Sequence, residues 1–269
     1  MTLFEKTAFS NQYEKAVFFD NSTERRLTFS LFCRIIKLYR RKGMIEMKIS
    51  VFNGSPNGQN SATNVIVSAF LKGAETEGAE THNVFLCEQD IKHCKGCFSC
   101  WFKTPGRCIL QDDMEKLLHL YNTSDIVCFA TPVFTWNYTA YLKNFVDRLA
   151  PLKSPLLTEQ NGKYDLADTK PREQRFMVIA NCGFPGEHNF EVMKASFACC
   201  KPFLEIYRNC GKLLKTTKED VKEKVDEYLS IVEQAGREAV AGDISEQTRA
   251  ALDMPLMSVT DYVKYIGMG

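Results

Sequence analysis

The chain has 269 residues, 45% hydrophobic and 25% charged, with 34 Lys and Arg against 33 Asp and Glu and 11 cysteines. This is ordinary globular composition, and no run approaches the roughly 18 uninterrupted apolar residues of a membrane-spanning helix, so a transmembrane chain and a disordered one are both excluded. An odd number of cysteines, in a chain long enough to build its own core and with no signal peptide legible at its start, argues against a disulfide scaffold and for a cytoplasmic setting.

Residues 1–46 carry nine Lys and Arg against five Asp and Glu, and from Arg25 to Lys42 seven basic residues meet no acidic one. Apolar Leu27, Leu31, Ile35 and Leu38 recur there at helical spacing. The segment reads as a basic N-terminal extension, with an amphipathic face of the kind that lies on anionic surfaces as its alternative reading. From Met47 the pattern becomes strand then helix. Lys48 to Phe52 is a strand, Ser61 to Thr76 a helix, Thr81 to Leu86 a second strand and Asp112 to Asn122 a helix. Asp125 to Ala130 is a buried strand followed by a helix over Tyr138 to Ala150. Pro151 to Pro171 is a polar insert. Arg175 to Asn181 is the next strand, Glu187 to Asn209 is helical, Lys212 to Lys215 supplies a last strand, and Lys218 to Ala241 is a charged surface helix. Residues 242–269 form a tail with two short helical stretches. Such alternation implies a parallel sheet covered by helices on both faces, an α/β doubly wound fold with five strands in the order 2-1-3-4-5. In these sheets ligands bind beyond the carboxyl ends of the strands.

Three loops sit at that edge. Gly54-Ser55-Pro56-Asn57-Gly58-Gln59-Asn60-Ser61-Ala62-Thr63 follows the first strand and opens onto a helix, offering amides, hydroxyls and a positive dipole end to a phosphate. It is neither a Walker A loop nor a dinucleotide glycine motif. Thr131-Pro132-Val133-Phe134-Thr135-Trp136-Asn137 follows the third strand and forms an apolar, aromatic wall suited to a planar heterocycle. Asn181-Cys182-Gly183-Phe184-Pro185-Gly186 follows the fourth and closes over the same crevice. Each loop alone has an ordinary structural reading; three of them at three correct topological positions are more specific.

Gly54-Ser55-Pro56 with Ser61 and Thr63, Ser124-Asp125 leading to Thr131-Pro132-Val133-Phe134, Lys143 with Asp147-Arg148, and Cys182-Gly183-Phe184-Pro185 together resemble the flavodoxin-like NAD(P)H-dependent FMN reductase superfamily. The cysteine-rich window makes the chain look most like its iron-sulfur flavoproteins. The likeness covers Met47 to about Gly211. It implies a flavodoxin-like domain over residues 47–241 and a non-covalent FMN whose phosphate lies at Ser55, Asn57, Asn60, Ser61, Ala62 and Thr63. The isoalloxazine would rest against Pro132, Val133, Phe134, Thr135, Trp136 and Asn137, with its pyrimidine edge at Asn181, Cys182, Gly183 and Phe184. Many members carry Arg or Lys where this chain has Asn57, which leaves the phosphate to neutral donors.

Four cysteines fall in one window with the spacing C-x2-C-x2-C-x7-C: Cys94, Cys97, Cys100 and Cys108. Four thiolates are the ligand count of a [4Fe-4S] cluster; free or redox thiols and zinc are the alternatives. His93 stands beside Cys94 as a donor to a cluster sulfur, or as an exposed loop residue, and Trp101 is a cover for the cluster or a plug beneath a loop. Of the other seven, Cys33, Cys87, Cys128, Cys182, Cys199, Cys200 and Cys210, most read as buried packing residues. The expected function is a flavin-dependent oxidoreductase taking hydride from NAD(P)H and passing electrons to a small molecule or a ferredoxin-like acceptor. The cofactor does the chemistry, so no catalytic acid or base is nominated. A flavodoxin-type carrier without turnover and a cluster-free flavin or quinone reductase are the alternatives. No nucleic-acid partner is expected, and the resemblance implies a homo-oligomer, a dimer or tetramer.

Overall fold

The computed structural model describes residues 46–160, 162–169 and 173–267, so the basic segment read at 1–46 lies, but for Glu46, outside the described residues. Strands β1 (Lys48–Asn53), β2 (Glu80–Phe85), β3 (Ile126–Pro132), β6 (Arg175–Asn181) and β7 (Leu204–Arg208) form one parallel sheet in the order β2-β1-β3-β6-β7. Between β3 and β6 in sequence, β4 (Lys153–Gln160) and β5 (Lys163–Asp168) pair, among the described residues, only with each other, antiparallel. The described residues of the insert predicted at Pro151 to Pro171 thus include a hairpin, which carries exposed Leu156, Leu157 and Tyr164.

The sheet is buried on both faces because its central strands are apolar at nearly every position. Val51, Cys128, Ala130 and Ile179 point to one side, where α1 (Ala62–Thr76) and the long α6 (Glu219–Ala241) pack. Phe52, Val127, Phe129, Val178 and Ala180 point to the other, against α3 (Met114–Thr123), α4 (Ala140–Asp147) and α5 (Glu191–Phe197). A four-residue turn of helix, α2 (Ser99–Phe102), lies within the cysteine window. The tail forms α7 (Glu246–Leu252) and α8 (Val259–Tyr265), which bury Leu252, Leu256 and Tyr262 in the first core.

Two expected elements differ. The helix read over Glu187 to Asn209 is confined to a 3-10 turn at Glu187–Phe190, α5 and a second 3-10 turn at Ala198–Cys200, after which the chain enters β7. The strand expected at Lys212 to Lys215 is instead part of a 3-10 turn, Gly211–Lys215. The physical reason is burial: Leu213 and Leu214 are adjacent and both buried, which a turn of helix allows and a one-sided strand does not, whereas Leu204 and Ile206 are buried on either side of exposed Glu205.

Candidate functional site

Because β1, β3 and β6 are neighbours and parallel, the three loops that follow them emerge side by side from one sheet edge. In the first loop Gly54 has no room for a side chain: a Cβ there would stand 2.7 Å from Leu142 Cβ and 2.9 Å from Thr139 Oγ1. Thr139 holds this closeness, since its hydroxyl donates to the Gly54 carbonyl at 2.6 Å and caps α4, while its amide donates to Thr131 Oγ1. The first and second loops are thus tied together. Gly58 turns the chain with φ +49, and the Ser61 hydroxyl donates to its carbonyl at 2.8 Å while accepting the Asn64 amide at 3.0 Å as the N-cap of α1. Thr63 donates to Asn181 Oδ1 across 118 residues at 2.5 Å. Two of the three hydroxyls expected to meet a phosphate, those of Ser61 and Thr63, are therefore engaged within the protein. The donors left at this end are the first amides of α1, at Ala62 and Thr63, which have no intrahelical acceptor, together with the exposed Asn57 and Asn60. Ser55 is buried, its amide on Asn53 Oδ1, and the Asn53 side-chain nitrogen is itself buried without a partner.

Thr63→Val removes the donor to a buried Asn181 oxygen, and we expect a loss of about 1–3 kcal/mol, read as a lower urea midpoint with an unchanged slope.

In the second loop Phe134 and Asn137 exchange two backbone hydrogen bonds, of 2.8 and 3.1 Å, around Thr135 (φ 49) and Trp136 (φ 60). Both central residues of this tight turn are left-handed, the geometry that Asn-Gly normally occupies, and a β-branched threonine there is strained. The strained turn leaves the rings of Phe134 and Trp136 more than half exposed, while Pro132, Val133 and Asn137 are half-buried beneath them. Phe184 is likewise exposed on the third loop. There Cys182 is buried and accepts the Phe184 amide on its sulfur, and a Cβ on Gly183 would meet nothing within 4 Å. The Gly183 carbonyl accepts the hydroxyl of Tyr262 from α8 at 2.5 Å. Burial, with the thiols of Cys210 and Cys182, pushes the Tyr262 phenol up to about 12, so it stays a donor at neutral pH.

The cysteine segment leaves the same edge after β2 and is anchored to α4. Asn144 donates through its Nδ2 to the Ile91 carbonyl at 2.5 Å, and its Oδ1 accepts from His93 Nδ1, 3.1 Å away. Arg148 and Asp112 form an ion pair at 2.5 Å with both side chains essentially excluded from solvent. Arg148 also donates to the Lys92 carbonyl, while Asp112 accepts the amides of Lys92 and Met114. Asp112 thus closes the base of the cysteine segment, and α3 begins two residues later than the pattern predicted. Burial pushes its carboxyl upward, but the Arg148 guanidinium and the two amides outweigh this and hold it below the usual range. Trp101, read as a cover or a plug, is half-buried and donates to the Ala150 carbonyl at 2.9 Å.

Of the four thiols, Cys94 and Cys97 are exposed, Cys108 is half-buried and Cys100 is buried. Hydrogen bonds from the Ser99 hydroxyl and amide pull the Cys97 thiol below its ordinary value. Burial raises Cys100, and the thiols of Cys108, Cys97 and Cys94 raise it further, so each of these three lies within electrostatic reach of Cys100. Among the described residues no three His, Cys, Asp or Glu side chains are placed to hold a single metal ion. Of the remaining cysteines, Cys128, Cys182 and Cys210 are buried, but Cys199 and Cys200 are exposed on a 3-10 turn. Among the described residues no helix is long and apolar enough to cross a membrane.

Two contributors were not found in the sequence. Tyr262 and Lys215, whose Nζ donates to the Asn60 carbonyl at 2.7 Å, reach the site from beyond β7, and neither lies in a motif.

Residues 47–168 match the family described as NADPH-dependent FMN reductase. An iron-sulfur flavoprotein of Archaeoglobus fulgidus is 38% identical over 105 residues, 39% of this chain and 46% of the relative. One of Methanosarcina thermophila is 35% identical over 108 residues, 40% of this chain and 54% of the relative. The chain spans about half the length of these curated relatives. In fold it is similar to an FMN-dependent NADH-azoreductase from Bacillus anthracis, solved in complex with FMN, with a TM-score of 0.51 at 14% identity over 72% of this chain and 99% of that one.

Proposed function

We propose, with the likeness of this chain to flavodoxin-like NAD(P)H-dependent FMN reductases and iron-sulfur flavoproteins as the premise, that the protein is an FMN-dependent oxidoreductase with NAD(P)H as donor. In this reading Cys94, Cys97, Cys100 and Cys108 hold a [4Fe-4S] cluster, and electrons leave to a small molecule or a ferredoxin-like carrier. The observation that carries the reading is the convergence of the loops after β1, β3 and β6 on one edge, with the cysteine segment tied to α4, the helix that follows the aromatic turn.

FMN, when bound, supplies hydride acceptance and electron release, chemistry that protein side chains lack. The residues fit such a group. The amides of Ala62 and Thr63 and the positive end of α1 hold the phosphate, with Ser55, Asn57 and Asn60 around it. Gly54 lets this loop pack directly against the start of α4. Pro132 to Asn137 form the wall under the ring system; Trp136, Phe134 and Phe184 exclude water from it. The polar backbone at Asn181 to Phe184 faces its edge, with Gly183 kept open. For the cluster, four thiols are the right donors, and the hydrogen bonds of Ser99 favour the thiolate that ligation requires. A cubane takes its thiolates at four separate corners, which is a wider arrangement than the ligands of one ion. The working unit is residues 47–241 with the tail 242–269, as a cytoplasmic homo-oligomer.

The test is iron, acid-labile sulfide and FMN per chain after anaerobic purification. We expect iron and sulfide near about four each and one FMN per chain. Cys97→Ser should lose the iron and keep the FMN, because the flavin loops follow other strands. Iron that stays near zero after anaerobic reconstitution removes the cluster, and steady NAD(P)H oxidation that needs FMN then identifies a simple flavin reductase. If no acceptor supports NAD(P)H oxidation, the protein is an electron carrier.

A further inference from the structure

We infer that Lys215 supplies the positive charge of the flavin-phosphate loop and makes the site prefer FMN over riboflavin. The inference rests on the flavin reading above and deepens it. The loop from Gly54 to Thr63 contains no cationic side chain. Its hydroxyls at Ser61 and Thr63 are engaged with Gly58 and Asn181. A carboxylate also stands close, since a Cβ on Gly58 would lie 3.4 Å from Glu88 Oε1. Left to these groups, a phosphate dianion would meet neutral donors and one adjacent negative charge.

Lys215 changes that balance from 155 residues away. Its ammonium donates to the Asn60 carbonyl at 2.7 Å, one residue before the N-cap of α1. The position is built rather than incidental. Leu213 and Leu214 on the same 3-10 turn are buried in the core shared with α1, so the backbone that carries Lys215 is fixed against the helix. At the start of the turn, Gly211 donates to the Cys182 carbonyl at 2.8 Å, and a Cβ there would come within 2.8 Å of Asn181 Nδ2. One short segment therefore supports both the loop after β6 and the loop after β1. A lysine serves well here: its ammonium has three donors, one of which holds Asn60 and leaves two for phosphate oxygens. It lies outside residues 47–168, the stretch that matches the reductase family.

The experiment titrates the full chain, freed of flavin, with FMN and with riboflavin, following the quenching of flavin fluorescence at low and high salt. Lys215→Met is expected to weaken FMN about tenfold at low salt and less at high salt, with riboflavin within about twofold of the parent. Lys215→Arg, which keeps the charge, is expected to hold FMN within about threefold. Equal weakening of FMN and riboflavin by Lys215→Met would make the lysine a clamp on Asn60 and overturn the inference, as would no effect on either. Failure of the unsubstituted chain to bind FMN at all would instead overturn the flavin reading on which the inference stands.

Discussion

Replacing Asp112 with asparagine is expected to lower stability by about 3–5 kcal/mol and to release the cysteine segment from the body of the protein. The substitution is nearly isosteric, so the effect is one of charge. Arg148 is 1% exposed and its Nε already lacks a partner; without the Asp112 charge its guanidinium is a buried cation left with the Lys92 carbonyl and the Cys108 thiol. The lost charge also weakens the hold on the Lys92 and Met114 amides, two of the points where the segment is fastened to the folded body. Urea unfolding at neutral pH gives the magnitude, and iron bound after reconstitution reports on the segment. A double variant, Asp112→Leu with Arg148→Met, should recover part of the stability, because removing both charges removes the penalty of burying one.

The pair also has a pH signature. The Asp112 carboxyl titrates below its ordinary value in the folded state, so its contribution is complete above the unfolded-state value near 3.9 and is lost as pH falls through the folded-state value. The parent should therefore lose stability in that acid range, and Asp112→Asn should lose less over the same range. Parallel acid profiles for the two chains would mean that Arg148 is satisfied by other groups.

Gly73→Ala is expected to be the most damaging single-methyl addition in the site's support. Helices α1 and α6 touch backbone to backbone at Gly73 and Gly236. An added Cβ on Gly73 would lie 1.9 Å from the Glu233 carbonyl oxygen, and one on Gly236 would lie 2.0 Å from that of Phe70. Neither obstacle is a side chain that can swing away, so the helices must separate, and overpacking of this kind costs about 1–3 kcal/mol or more. The N-terminus of α1 is the phosphate end of the proposed site. Its displacement should weaken FMN as well as lower the urea midpoint. A variant that loses stability but binds FMN as the parent does would show that the strain is absorbed at the other end of α1.

The strands read at 48–52, 125–130 and 175–181 were legible because a strand buried on both faces must be largely hydrophobic, and that is a local property of the chain. The loops after them were legible for a related reason: in a doubly wound sheet the strand order dictates where a ligand binds, so finding the strands finds the loops. The spacing of Cys94, Cys97, Cys100 and Cys108 is likewise written along the chain. The final strand was not, since Leu204 to Arg208 and Lys212 to Lys215 are both short segments that mix apolar and charged residues, and only the packing of Leu213 and Leu214 against α1 separates strand from turn.

What the sequence by itself determined is the layered α/β architecture, the sheet edge that carries the proposed site and the residue types brought to that edge. Tertiary structure alone decided how those residues are used. It engages the Thr63 hydroxyl with Asn181, pairs Asp112 with Arg148, and brings Lys215 and Tyr262 to loops more than seventy residues away. Periodicity reports the burial of a residue's own face, whereas a hydrogen bond or ion pair between distant segments depends on where the folded chain returns, which no local pattern encodes.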